Sequence, residues 1–384
     1  MDSWDFAGRL AQLKQQDLYR SRQIINGPQG VEVHLDGVCY NNFSSNDYLG
    51  LANHPLAIKA FKAASEKYGV GSGSAHLICG HSAEHHALEE ELASFTGRDR
   101  ALVFSTGYMA NIGAISALVG QQDAVFEDKL NHASLIDGGL ISGARFRRYP
   151  HANVNRLAEL LQQSAADKKL IVTDGVFSMD GDEAPLRGLI EQAKKTQSML
   201  MVDDAHGIGV LGHTGGGLLQ QQGVSQEQVP VLMGTFGKAL GSFGAFIAGS
   251  EELIETLIQL ARPYIYTTAP PAAVMAATRA NLKLCIEDGW RREKLVALVE
   301  QFRTGAKQIS LQLLESSTPI QAVVLGDNEL TMAASGALKK KGFLVGAIRS
   351  PTVPQGSERL RITFSASHSS TQVDELLSAL SEVV

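Results

Sequence analysis

Residues 231–241, Val-Leu-Met-Gly-Thr-Phe-Gly-Lys-Ala-Leu-Gly, join a short apolar run to a glycine-rich loop that carries one lysine. The run does not alternate with polar residues, which is typical of a strand buried on both faces. Further runs of this kind, separated by helical patterns, are residues 101–104, 170–173, 199–202 and 245–248. We therefore predict the α/β class, with a mostly parallel central sheet flanked by helices.

The sequence on either side of these runs predicts smaller units. An amphipathic helix is expected over about residues 4–20, and Asp36-Gly37 between alternating residues predicts a β-hairpin. The C-terminal part has strand patterns at 320–325 and 344–348 and helical patterns near 270–303, 329–341 and 371–382. The predicted division is an N-terminal helix and hairpin segment (1–45), a large domain (46–289) and a small α+β domain (290–384).

Composition narrows the functional classes. The 384 residues are 44% hydrophobic and 19% charged with a net charge of −6, which favours a folded protein without a nucleic-acid partner. Cys39, Cys79 and Cys285 form no CxxC pair, so a reducing cytoplasm is expected. The first residues lack the basic and apolar regions of a signal peptide, and no apolar run is long enough to predict a membrane segment.

Lys238 is the first candidate for chemistry. A partly desolvated lysine loses some preference for the ammonium form and can react with an aldehyde to give an imine. Thr235, three residues earlier, offers a hydroxyl to a phosphate oxygen. The same pattern also fits a solvated surface loop, so the interpretation depends on further motifs.

A carboxylate cluster follows the run at 199–202. Asp203 is placed at a strand end, where a buried carboxylate can keep a pyridine nitrogen protonated, and His206 can bind a ring hydroxyl. Asp203 and Asp204 are equally suited to cap a helix. In open α/β sheets, ligands bind beyond the carboxyl ends of strands, which favours a site here.

Two further motifs fit a ligand that has both a phosphate group and an aromatic ring. Phe104–Asn111 turns from a strand into a helix, whose first amides at Gly107 and Tyr108 form a phosphate cradle. His132 lies in a loop where an imidazole can stack on an aromatic ring. Each motif alone also has an ordinary structural interpretation.

In this order, the motifs resemble those of the fold-type I pyridoxal-phosphate (PLP) enzymes, and among them the α-oxoamine synthases. The similarity spans nearly the whole chain, and it also includes Asn42–Leu51, Gly71–Gly73, His85–Glu91, Gly175–Gly181, Pro351–Pro354 and Arg359–Ile362. Two positions differ: the family usually has glutamate at Asp174, and Ser74-Ala75 replaces Gly-Ser.

The resemblance implies roles for individual residues. Lys238 would hold pyridoxal 5'-phosphate as a Schiff base and act in catalysis together with His132. The implied cofactor-binding residues are Gly107, Tyr108, His132, Ser178, Asp203, His206, Thr235 and Lys238. The implied substrate-binding residues are Arg20, Asn46, His132, Thr352 and Arg361. No metal ligand is implied.

The resemblance also implies an activity, that of a C-acyltransferase acting on small molecules. It is nearest to a member that condenses L-alanine with a pimeloyl thioester of coenzyme A or acyl carrier protein, releasing carbon dioxide. Related members use glycine or serine. A homodimer with its sites at the subunit interface is expected, without membrane or nucleic-acid partners.

Three other classes compete with this interpretation. His81-Ser-Ala-Glu-His85 matches the H-x-x-E-H pattern of inverted zinc peptidases. Glycines 69, 71 and 73 suggest a dinucleotide fold, but they do not form G-x-G-x-x-G. A non-catalytic binding protein is the third alternative, against which stands the lysine, carboxylate and histidine set at successive predicted strand ends.

Overall fold

The computed structural model describes residues 4–16 and 18–384. Its strands are β1 (Glu32–Leu35), β2 (Val38–Asn42), β3 (Arg100–Phe104), β4 (Ala124–Asp128), β5 (Arg145–Tyr149), β6 (Lys169–Asp174), β7 (Met199–Asp203), β8 (Val231–Thr235), β9 (Ala245–Gly249), β10 (Ile320–Val324), β11 (Phe343–Leu344), β12 (Gly346–Ile348) and β13 (Arg359–Thr363). Its helices are α1 (Phe6–Gln15), α2 (Pro55–Tyr68), α3 (Ala83–Thr96), α4 (Gly107–Leu118), α5 (Ala133–Ile141), α6 (Val154–Gln162), α7 (Leu186–Thr196), α8 (Gly217–Gln222), α9 (Glu251–Leu260), α10 (Arg262–Ile265), α11 (Ala272–Glu287), α12 (Gly289–Gln308), α13 (Asn328–Lys340) and α14 (Ser370–Val383). A π-helical turn, His76–Gly80, precedes α3.

A seven-stranded sheet occupies the centre, in the order β3-β9-β8-β7-β6-β4-β5. Strands β4 to β8 pair in parallel, whereas β9 is antiparallel to both of its neighbours. In β7, Leu200 and Val202 belong to one apolar cluster and Met201 to the other, on the opposite face. Burial on both faces explains the continuous apolar runs, and the predicted fold class is confirmed.

Two strands of this sheet escaped prediction. β5, with the sequence Arg-Phe-Arg-Arg-Tyr, lies at the sheet edge and leaves its arginines largely exposed, so it lacks an apolar run. β4 is fully buried but ends in Glu127 and Asp128, whose charges interrupt the expected pattern. Only the pairing with neighbouring strands reveals these two segments as strands.

The N-terminal segment pairs with the C-terminal part. The predicted hairpin forms with positive φ at Asp36 (+50°) and Gly37 (+81°), and β11 adds to β2 as a parallel third strand. α1 covers less than the predicted 4–20, because it ends at Gln15; residues 1–3 and Asp17 lie outside the described residues. The three-part division of the chain stays a prediction.

The second small sheet has the order β10-β13-β12, with antiparallel pairs throughout. It brings Arg361 of β13 within hydrogen-bond distance of Asn46 and Ser178. Among the described residues, no helix combines the length and apolar character needed to cross a membrane.

Candidate active site

Three polar side chains lie at the carboxyl ends of adjacent parallel strands. Asp174 ends β6, Asp203 ends β7 and Thr235 ends β8, and Asp174 stands directly opposite Asp203 in the β6–β7 register. The loop carrying Lys238 leaves β8 at this same edge. The structure therefore forms a site where the sequence predicted one.

Lys238 lies in a tight turn between β8 and β9. The turn is closed by the amide of Gly241 donating to the carbonyl of Lys238 (2.8 Å), and Gly241 has a positive φ of +54°. A Cβ at Gly241 would lie 2.3 Å from the backbone nitrogen of Ala52, so glycine is required there. Burial lowers the pKa of the Lys238 amine to about 8, against the opposing attraction of Asp203 and Asp174. The neutral, nucleophilic amine is therefore a minor form at neutral pH, but far more populated than in an exposed lysine.

The Asp203 carboxylate is held by two hydrogen bonds. Its Oδ1 accepts from the amide of Ala205 (3.0 Å), and its Oδ2 accepts from Nδ2 of Asn111 (2.7 Å). The same Asn111 nitrogen also donates to Oγ of Ser134 (2.8 Å). Both bonds fix the orientation of the carboxylate. Sequence reasoning missed Asn111 and Ser134, although both lie within or beside motifs that it quoted.

His132 presents its ring to the open side of the site. Its Nδ1 accepts from the amide of Ser134 (3.2 Å) and lies 2.8 Å from Oγ of Ser134. Since Nδ1 is an acceptor, the ring proton is assigned to Nε2. Partial burial lowers the pKa of His132, although Asp203 opposes this effect, which favours a neutral imidazole with an Nε2–H donor.

Asp174 holds the backbone of His132 in place. Its Oδ2 accepts from the backbone amide of His132 (2.7 Å), and its own amide donates to Oδ1 of Asn131 (3.1 Å). Burial and the neighbouring Asp203 raise the pKa of Asp174 well above its usual range. The shorter carboxylate at this position, a departure from the family pattern, thus anchors the backbone of the histidine loop.

His206 and Asn46 meet through Tyr48, which the sequence analysis did not single out. The Tyr48 hydroxyl lies 2.7 Å from Nδ1 of His206 and donates to Oδ1 of Asn46 (3.2 Å). Burial lowers the pKa of His206 well below its usual range, and the charge of Lys238 lowers it further. His206 is therefore a neutral ring with Nε2 available to the site.

Arg361 completes this side of the site. Its Nε donates to the carbonyl of Ser178 (2.6 Å), and its Nη2 donates to Oδ1 of Asn46 (3.2 Å). Among the described contacts, these bonds use two of the five guanidinium donors. The structure thus brings together Arg361, Asn46 and Ser178, and the remaining donors suit a carboxylate.

The first turn of α4 offers free backbone amides to an anion. Gly107 and Tyr108 open the helix, so no helical carbonyl can accept from their amides. A Cβ at Gly107 would lie 2.7 Å from Cε of Met233, so there is little room for a side chain at this position. Thr235 ends β8, and its hydroxyl donates to the carbonyl of Gly244 (3.0 Å). This hydroxyl must therefore rotate before it can donate to an anion.

Arg20 and Thr352 have no described contact to this group. Arg20 lines a cavity of about 630 Å³, together with Lys339 and Arg349. Thr352 is exposed in the following turn, where its amide donates to the carbonyl of Arg349 (2.9 Å). Their predicted part in binding the acyl substrate stays a prediction.

The H-x-x-E-H stretch does not form the geometry of a peptidase. His81 precedes α3, whereas both ring nitrogens of buried His85 are engaged, Nδ1 with the amide of Ser82 (3.1 Å) and Nε2 with the carbonyl of Pro270 (2.8 Å). Glu84 pairs with Arg279 (2.7 Å). The pattern therefore lacks both a second histidine ligand and a free general base.

Comparisons with known proteins identify the family of the chain. A family model described as aminotransferase class I and II matches residues 40–380. The 8-amino-7-oxononanoate synthase of Cellvibrio japonicus is 57% identical over 98% of this chain and 95% of its own length. That of Methylococcus capsulatus is 57% identical over 100% and 99%. A solved serine palmitoyltransferase from S. paucimobilis, with bound PLP–myriocin aldimine, has a TM-score of 0.93 at 30% identity and covers 99% and 97%.

The fold and the lysine-centred site define a pyridoxal-phosphate enzyme of the aminotransferase class. The chain belongs to the class I and II aminotransferase family and, within it, to the group of 8-amino-7-oxononanoate synthases. The predicted family and cofactor are confirmed.

The residues present fit this cofactor. Lys238 supplies a reactive amine, Asp203 an oriented carboxylate, and the opening turn of α4 a cradle for a phosphate. His132 offers an imidazole face on the open side. The individual residue assignments to the cofactor stay predictions.

Proposed function

We propose that this enzyme catalyses the decarboxylative condensation of L-alanine with a pimeloyl thioester. The products are 8-amino-7-oxononanoate, carbon dioxide and the free thiol carrier, a step of biotin biosynthesis. The observation that carries the proposal is 57% identity, over nearly the full length of both chains, with proteins of this name. The site supports it, because the reaction needs an amine base, a carboxylate beside a ring nitrogen and a carboxylate-binding arginine.

When bound, PLP supplies a ring that stabilises negative charge at the amino-acid α-carbon. The neutral Nζ of Lys238 removes the α-proton, for which a pKa of about 8 is well matched. Asp203 holds the proton of the ring nitrogen, and Arg361 with Asn46 orients the amino-acid carboxylate. The Nε2–H of His132 donates to the thioester carbonyl as charge develops on its oxygen.

Remaining roles follow the position of each residue. Gly107, Tyr108 and Thr235 bind the phosphate end, while His206 and Ser178 lie on the side of the ring oxygen. Arg20 and Thr352 contact the acyl donor, whose free carboxylate matches the positive charges of Arg20 and Arg349 around one cavity. The carrier is coenzyme A or an acyl carrier protein.

We further propose that two copies of the chain form the working enzyme, as expected from its relatives. Three large apolar side chains are mostly exposed: Val70 (89%), Ile78 (79%) and Tyr266 (71%). Apolar surface of this kind is typical of an interface between subunits. A cytoplasmic location is proposed as well, since Cys39, Cys79 and Cys285 are all free thiols.

A second candidate is a synthase that uses serine or glycine, because the serine palmitoyltransferase fold covers 99% of this chain. A thioester-release assay separates the two. L-alanine, glycine and L-serine are each tested with pimeloyl, palmitoyl and acetyl thioesters, and Lys238→Ala is the inactive control. We expect the highest kcat/KM for alanine with the pimeloyl donor. A preference for serine with the palmitoyl donor would reject the first proposal in favour of the second.

A further inference from the structure

A second cluster of reactive side chains lies at the start of α3, outside the Lys238 site. His81 lies two residues before the helix, and His86 and Glu89 lie in it three residues apart. One ligand atom from each of these three residues falls within 4.8 Å of the other two. Residues three apart share one face of a helix, so His86 and Glu89 point to the same side.

The ring of His81 is oriented by a second histidine. Its Nδ1 lies 3.0 Å from Nδ1 of His76, so one of the two atoms donates and the other accepts. A proton on Nδ1 of His81 leaves a lone pair on Nε2, which faces Oε2 of Glu89 at 3.8 Å. Metal-binding histidines usually donate their other ring nitrogen to a partner in this way.

Glu89 is oriented from the opposite side. Its Oε1 accepts from the backbone amide of Val103 (2.9 Å), which leaves Oε2 directed at His81. The Glu89 side chain is only 12% exposed, whereas His86 is largely exposed at the open side of the cluster. Contacts within the protein thus hold His81 and Glu89 in place. His86 lies on the solvent-exposed side of the cluster.

We propose that His81, His86 and Glu89 bind a divalent transition-metal ion of the zinc type. Two imidazoles and one carboxylate form a donor set that suits Zn²⁺ and disfavours Mg²⁺ and Ca²⁺, which prefer oxygen ligands. The donors differ from the H-x-x-E-H pair, because His86 replaces His85. The ion joins the segment before α3 to its first two turns, and a water molecule fills the fourth position.

Metal titration of the full-length holoenzyme, prepared without a histidine tag and freed of metal by EDTA, tests the proposal. Zn²⁺ binding is measured by calorimetry, and Co²⁺ by its visible absorption. We expect one saturable site per chain that His86→Ala abolishes. His86 is exposed, so this variant keeps its fold. His213→Ala, which removes an exposed histidine outside the cluster, is the matched control and should bind as the wild type does.

A second variant tests the orienting contact. His76→Phe preserves the ring that stacks on Tyr264 (4.7 Å between centroids) but removes the partner of His81. We expect metal affinity to fall by about 10–100-fold. Absence of a saturable site in the wild type, or equal affinity in wild type and His86→Ala, would overturn the proposal. Because the Lys238 site shares none of these residues, EDTA is expected to leave thioester release unchanged.

Discussion

Nδ2 of Asn111 donates to Oδ2 of Asp203 at 2.7 Å, which links the opening helix of the site to its central carboxylate. Through Ser134 the same side chain also reaches Nδ1 of His132. A single buried amide thereby helps to orient both the Asp203 carboxylate and, through Ser134, the His132 imidazole. The catalytic groups depend on this shared support as well as on their own backbone positions.

Asn111→Leu should therefore impair catalysis without preventing folding. The variant keeps the side-chain volume but leaves Oδ2 of Asp203 and Oγ of Ser134 without their donor, a loss of about 1–3 kcal/mol. We expect kcat to fall by about 10–100-fold, with slower α-deuterium exchange on alanine. Ser116→Ala, elsewhere on α4, is the control and should behave as wild type. If Asn111→Leu exchanged the α-deuterium of alanine at the wild-type rate, Asn111 would not be needed to orient Asp203 and His132.

Lys238→Ala should abolish turnover. The variant has no amine to attach the cofactor covalently or to remove the α-proton. Visible absorption of the attached cofactor, which borohydride bleaches in the wild type, should be absent. Lys283→Ala, at an exposed lysine of α11, should retain both properties. Retention of wild-type turnover by Lys238→Ala would exclude the assigned role.

Asp203→Asn should retain the cofactor but slow proton abstraction. An amide cannot hold the proton of the ring nitrogen, so several kcal/mol of charge stabilisation are lost, equivalent to orders of magnitude in rate. Deuterium exchange at the α-carbon of alanine measures this step directly. Asp167→Asn, at an exposed position, is the control. Unchanged exchange in Asp203→Asn would show that the carboxylate is dispensable.

His132→Phe separates stacking from hydrogen bonding. Phenylalanine keeps an aromatic face but lacks the Nε2–H that we assign to the thioester carbonyl. Loss of one such donor should lower kcat for acyl transfer by about 10²–10³-fold, while α-deuterium exchange falls much less. An equal fall in both rates would indicate that His132 acts before the acyl donor enters.

Glu127 should make the enzyme less stable as the pH rises. Burial raises its pKa to about 8 in the folded chain, and its Oε1 has no hydrogen-bond partner among the described residues. Between pH 4.5 and about 8 the folded state retains a proton that the unfolded state releases, so the free energy of unfolding falls by a few kcal/mol.

Glu127→Gln removes this titration, and urea unfolding at several pH values measures the effect. We expect a flatter pH profile for the variant than for wild type. Glu159→Gln, at an exposed ion pair, should leave the profile unchanged. Parallel profiles for wild type and Glu127→Gln would show that this carboxyl does not titrate as expected.

Local pattern was enough to predict much of this protein. Apolar runs without alternation identified five of the seven central strands, because burial on both faces leaves a mark in each strand's own residues. The Lys238 loop and Asp203 were singled out by their positions after such runs, and His132 by its place in a polar loop. These features depend on neighbours in the chain, which the sequence contains.

Only the tertiary structure revealed how the site is held. Asn111 and Asp203 are 92 residues apart, and Tyr48 and His206 are 158 apart, so no local pattern connects them. The edge strand β5 and the pairing of β2 with β11 were hidden for the same reason. A hydrogen bond between distant residues depends on strand order and helix placement, which are decided by packing of the whole chain and leave no mark in either segment alone.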